Sequence, residues 1–212
     1  MDSILKPILG LALVASVAAC GRSASKSDAV TDQNVVTRTE TTSMSMPGAF
    51  DPVESKMGDQ MTAAVGGDAG DNWVRKMIAH HQGAIDMSKI ALDRKPTPEV
   101  AQMAKMTIDK QGHEIEDLKK LKGQGAPDQK SADLYKPAMM EMQRAMMAKQ
   151  GATGSETYLR KMLAHHEGAI AMSDVALKNG VTGAVKLQVE KTKAAQQMEA
   201  NTVKSMIGKP SS

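Results

Sequence analysis

Aromatic side chains make up only 2% of this 212-residue chain. Phe50, Trp73, Tyr135 and Tyr158 are all of them. A core here must be built from Ala, Leu, Ile, Val and Met. Cysteine is rarer still: Cys20 is alone, which excludes an intrachain disulfide and a Cys-rich structural zinc site. No apolar run is long enough to span a bilayer as a helix; the longest candidate, Ile8 to Ala19, is too short. No basic block stands out in a chain whose net charge is +3, which argues against nucleic acid as a partner. Sustained period-two alternation is missing, so no strands are expected. The Glu-x-x-His pairs of carboxylate di-iron bundles are also missing. No Ser shares a motif with a His, and Cys20 belongs to the N-terminal segment, so nucleophilic catalysis has no candidate and no enzyme is expected.

Methionine, by contrast, is abundant, with 18 copies. It is both a flexible core filler and a soft thioether donor. The N-terminus carries Lys6, then the short apolar run, then Val17-Ala18-Ala19-Cys20. That shape is a secretory signal segment, and its end resembles a bacterial lipobox. Residues 1–19 are therefore read as a lipoprotein-type signal peptide and Cys20 as the lipidated first mature residue. Residues 20–49, rich in Ser, Thr, Asp and Asn, read as a flexible tether.

The rest of the chain is a duplication. WVRKMIAHHQGAIDMSKIAL at 73–92 returns as YLRKMLAHHEGAIAMSDVAL at 158–177, with thirteen of 20 positions identical and a constant offset of 85. The same offset pairs Phe50 with Tyr135, Met57 with Met142, Met61 with Met146 and Glu114 with Glu199. Repeat one spans 50–125 and repeat two 131–208. Each parses into three helices, about 52–65, 72–93 and 98–122, then about 137–150, 156–178 and 183–207. Asp51, Asp71, Thr97 and Ser155 are the expected N-caps. Gly123 to Gln129 joins the copies. Helix pairs with one apolar face each must bury it against one another, which predicts an all-α, four-helix bundle with the two Met-bearing first helices outside.

Each copy carries a His-His pair, and these are four of the five histidines. At ~100° per residue, His81 and His166 fall inside the buried arc of the second helix. His80 and His165 fall at its edge, on the side of Met87 and Met172, and read as exchangeable ligands. Met77 and Met162 sit four residues before His81 and His166, within reach on one face. Arg75, Lys76, Gln82 and Asp86 fall on the opposite side. The third helix places Gln111 and Glu114, and in copy two Gln196 and Glu199, in its apolar arc. A buried carboxylate needs a partner, and facing imidazoles would supply one. His113 falls on a polar face and reads as a surface residue or an auxiliary ligand, alongside Met57, Met61, Met142 and Met146. Imidazole with thioether suits copper or silver. The rival reading is a non-metal structural or interaction module of the bacterial envelope whose His-Glu network serves packing alone.

The motif M-[IL]-A-H-H-[QE]-G-A-I-x-M, followed on the next helix by Q-x-x-E, resembles the bacterial domain-of-unknown-function family 305, over about residues 48–208. That resemblance implies a ferritin-like helical fold and export to the periplasm. For two-copy relatives it implies copper binding in copper tolerance. Met77, His80, His81 and Met87 match the motif, as do Met162, His165, His166 and Met172. The expectation is a periplasmic protein anchored to a membrane by its N-terminal lipid. It would bind Cu(I) or Cu(II), or silver, for sequestration or transfer, with envelope copper-handling proteins as partners. Gly112 inside a helix and the extra His113 depart from the pattern.

Overall fold

The computed structural model describes residues 48–207. The signal segment, Cys20, nearly all of the tether and the last residue of repeat two lie outside the described residues. Within them the chain is all-helical and no strand is present. The elements are α1 (Asp51–Ala63), α2 (Ala69–Asp93), α3 (Pro98–Lys120), α4 (Gln129–Asp133), α5 (Lys136–Ala148), α6 (Gly154–Lys178) and α7 (Gly183–Ile207). Helix α4, a short turn that starts at the end of the joining segment and runs into repeat two, was not expected from the sequence. No helix among the described residues is long and apolar enough to cross a membrane.

The expected caps hold in part. Thr97 caps α3 through the Val100 N–H, with Pro98 at the first turn, and Gly180 follows α6 at φ +76°. Three other caps need correction. Asp68, not Asp71, caps α2 by accepting from the Asp71 N–H at 2.8 Å. Thr153, not Ser155, caps α6 through the Glu156 N–H. Asp51 already lies inside α1, and Phe50 precedes it without a side-chain cap. Long-range bonds decide the matter. Asp71 accepts from the backbone N–H groups of Gly67 and Gly123 and from Arg75. Burial raises its pKa, but these bonds outweigh that and hold the carboxyl below the usual range. Ser155 instead accepts from the Thr97 N–H of the other copy.

Helix α2 packs on α3 and α6 on α7, and the two pairs meet where α2 touches α6 and α7. Helix α1 lies on α2, α5 lies on α6, and α1 touches α5. Helices α2 and α6 are thus covered on several sides. That explains why Asp71, Asn72, Trp73, Val74 and Lys76, which point to all sides of α2, are all buried. The aromatics hold the copies to each other. Phe50 at the start of α1 meets Tyr158 on α6 with ring centroids 6.3 Å apart, and the Tyr135 hydroxyl donates to Ala69 O at the start of α2.

The outer helices are clipped on by lysines. Lys76 donates to Met61 O and Ala64 O at the end of α1, both at 2.9 Å. Lys161 donates to Met146 O at the end of α5, also at 2.9 Å. Met61 O and Ala64 O are carbonyls that the end of α1 leaves open, and Met146 O also accepts from the Lys149 N–H at 3.1 Å, so each ammonium completes the bonding at a helix C-terminus and complements the dipole. The expected solvent-side position of Lys76 is therefore wrong. It is buried because α1 covers the side of α2 that a single-helix projection assigns to water.

Candidate metal centre

The His-His pairs lie mid-helix on α2 and α6, where those helices meet. His80 and His165 stack on each other with ring centroids 3.5 Å apart and planes 26° apart. His81 lies 5.7 Å from His80 and His166 lies 5.8 Å from His165, centroid to centroid. The four rings thus form a row: His81, His80, His165, His166. All four are essentially without solvent exposure.

The bonds of the inner two rings are reciprocal. His80 Nε2–H donates to His165 O at 3.1 Å, and His165 Nε2–H donates to His80 O at 3.0 Å. A carbonyl can only accept, so both rings carry their proton on Nε2. Each Nδ1 is left with a lone pair and no hydrogen-bond partner. Burial, and then the neighbouring imidazoles, hold both pKa values well below the usual histidine range, so both rings are neutral.

The outer two rings lean on the third helix of their own copy. His166 Nδ1–H donates to Gln196 Oε1 at 2.6 Å, leaving Nε2 without a partner. Burial pulls its pKa to about 4, against the Gln196 bond. His81 Nε2 lies 2.8 Å from Glu114 Oε2, though off the line of a good hydrogen bond, and its Nδ1 is unpartnered. Gln111 is buried with neither amide atom bonded, unlike its counterpart Gln196. Glu114 and Glu199 are partly exposed rather than buried, at 18% and 24% of their side chains. Burial raises the Glu199 carboxyl, Lys110 at 3.5 Å opposes that, and Glu114 reinforces it.

The structure therefore brings together His80, His81, His165 and His166, with Gln111, Glu114, Gln196 and Glu199 behind them. It overturns the placing of His80 and His165 at an accessible edge. They are the innermost pair, because the edge of the α2 arc faces α6. His113 is apart from this group, exposed, with Nδ1 donating to Asp109 O on its own helix. Met77, Met87, Met162 and Met172 are fully buried on the same two helices, and Met57, Met61, Met142 and Met146 are buried on α1 and α5. Among the described residues, no three His, Cys, Asp or Glu side chains converge in a metal-holding group.

Sequence reasoning missed the glycine of the motif. A Cβ on Gly83 would lie 2.3 Å from Met57 Sδ, and one on Gly168 would lie 2.3 Å from Met142 Sδ. Glycine at these two positions lets the outer helices lay a methionine directly over the helices that carry the histidines. It missed Lys76, Lys161 and Glu54 as well. The glycines and lysines are identical in both copies, and that was the available signal.

Fold and site together define an all-helical protein built on a duplicated His-His unit with a buried imidazole row. The family model described as Domain of unknown function (DUF305) matches twice, over residues 15–122 and 119–207. The chain belongs to that family, with two copies of its domain. No curated protein and no solved structure matches the chain.

Proposed function

We propose that this protein binds copper or silver ions in the bacterial periplasm, for sequestration, tolerance or transfer, and acts without catalysing a reaction. We take α2, α3, α6 and α7 as a ferritin-like four-helix bundle made from the two repeats, with α1 and α5 outside. Cys20 would carry the lipid that holds the chain at a membrane, and envelope copper-handling proteins would be its exchange partners.

One observation carries the reading. Every histidine of the row has a buried ring nitrogen with no hydrogen-bond partner: Nδ1 of His80, His81 and His165, and Nε2 of His166. Buried polar atoms are rarely left in this state, and a neutral imidazole nitrogen is a ready metal ligand. The donor set fits soft ions best. Buried thioethers lie on the same two helices as the imidazoles, and among the described residues there is no thiol and no trio of carboxylates for harder cations. The ligands would be His80, His81, His165 and His166 with Met77, Met87, Met162 and Met172. Gln111, Glu114, Gln196 and Glu199 would orient the imidazoles and fix their tautomers.

A second reading has its own support. The reciprocal His80–His165 bonds hold the copies together, and the His166–Gln196 bond holds α6 to α7, without any ion. On that reading the protein is a structural or interaction module of the envelope. Titration of the metal-free mature protein with Cu(I), against a chromophoric Cu(I) chelator, separates the two. Uptake by the native protein is expected. Its loss is expected when the four motif histidines become Gln, provided circular dichroism shows the helices retained. Equal copper retention in that folded variant would leave only the packing role.

A further inference from the structure

The two lysine clips differ in one respect, and a cavity marks the difference. In copy two, Lys161 also forms an ion pair with Glu54 Oε1 at 2.6 Å, with each side chain only 2% exposed. Glu54 comes from α1, so this ion pair crosses between the copies. Its counterpart under the offset of 85 is Met139, which carries no charge. Lys76 therefore has its two carbonyl acceptors and, among the described residues, no carboxylate within ion-pair distance. An ammonium has three donors, so one N–H remains.

Beside that ammonium lies a cavity of about 170 Å³ between α1, α4 and α5. Its apolar wall is Met57, Met61, Met139 and Met142, and Lys76 lines it as well. Asp133 and Lys136 also line it. They pair with each other at 3.0 Å, and the Asp133 carboxylate also accepts from Gln129. The mouth is thus close to neutral, and the buried charge of the cavity is a cation. Burial holds Lys76 below the usual lysine range, with Asp133 pulling it up and Lys136 pushing it down.

We propose that this cavity binds a small aliphatic carboxylate, whose anionic head pairs with Lys76 where copy two uses Glu54, and whose tail packs on the methionine wall. The ligand supplies the carboxylate that Met139 does not. A charge-assisted bond at a buried ammonium gives the affinity, and the thioethers and methylenes of the wall select an apolar body over a hydrated anion. The site is separate from the histidine row and is tested without metal.

The test is titration of the metal-free mature protein with hexanoate, followed by calorimetry and by the methyl resonances of 13C-methyl methionine. Saturable binding is expected, with shifts at Met57, Met61, Met139 and Met142. Hexanamide, which has the same tail and no charge, should bind at least about tenfold more weakly, as should hexanoate to Lys76→Met. Met139→Glu should abolish binding by supplying the carboxylate internally, and should raise the melting temperature. No saturable binding of hexanoate would overturn the proposal, as would equal binding of hexanamide. Undiminished binding to a folded Met139→Glu variant would do the same. If a variant fails to fold, the hexanoate–hexanamide comparison on the native protein still decides.

Discussion

At the scale of single residues, Gly83 and Gly168 show how much of the site depends on close approach. Each is a helix-interior glycine, a position where alanine would ordinarily add about 1 kcal/mol of stability. Here the added methyl would meet Met57 at 2.3 Å from Sδ and 3.0 Å from Cβ, so Met57 must move as a whole side chain. Gly83→Ala and Gly168→Ala should each cost about 1–3 kcal/mol, the usual range for overpacking. The check is urea unfolding. Met57→Ala alone should cost about 2–5 kcal/mol through the cavity it leaves. The Met57→Ala/Gly83→Ala double variant should then be more stable than the sum of the singles allows, because the new methyl enters the space vacated. Additive losses would mean that the two residues do not share that space.

At the scale of elements, the helices follow from their sequence, and their neighbours do not. The 3.6-residue apolar period, Pro98 after Thr97, and Asn179-Gly180 placed the long helices within a few residues of where they stand. The caps at Asp68 and Thr153 were missed because Asp71 and Ser155 are equally good cap residues locally. What removes them is bonding to Gly123 and Thr97, far away in the chain. The same blindness misplaced Lys76 and His80. A projection of α2 alone has one inside, whereas α2 has α3, α6 and α1 around it. The lysine clips make this measurable. Lys161→Met removes the partner of a buried carboxylate and should cost about 3–5 kcal/mol. Lys76→Met frees only carbonyls and should cost about 1–3 kcal/mol. Glu54→Gln added to Lys161→Met should recover part of the larger loss. Chemical denaturation gives the energies. Amide exchange at the ends of α1 and α5 shows whether the loss is local, with α5 loosened by the first change and α1 by the second.

At the scale of the whole molecule, the copies meet as a self-complementary interface folded into one chain, with His80 and His165 exchanging the same bond in both directions. Burying neutral imidazoles at that junction ties assembly to pH. His80 and His165 have pKa values held well below the usual range by burial, and His166 is held near 4 by the same cause. In the unfolded chain each would titrate near about 6.5. Above that value neither state binds the protons and stability is at its plateau. Below it the unfolded chain takes up protons that the folded one refuses, so stability falls with pH. The fall from His166 alone, between about pH 6.5 and 4, should reach about 3 kcal/mol, and His80 and His165 add to it. Glu54 and Glu199, whose carboxyls burial raises, act the other way and soften the curve at its acid end. Metal-free protein should therefore hold its urea midpoint near about pH 7, where these histidines are deprotonated in both states, and lose it progressively below about 6.5. His166→Gln keeps a polar side chain in place and removes one titrating group, so its curve should be shallower by about one proton per molecule. A curve that is flat down to pH 5, or unchanged in that variant, would mean that His80, His165 and His166 are not neutral when buried.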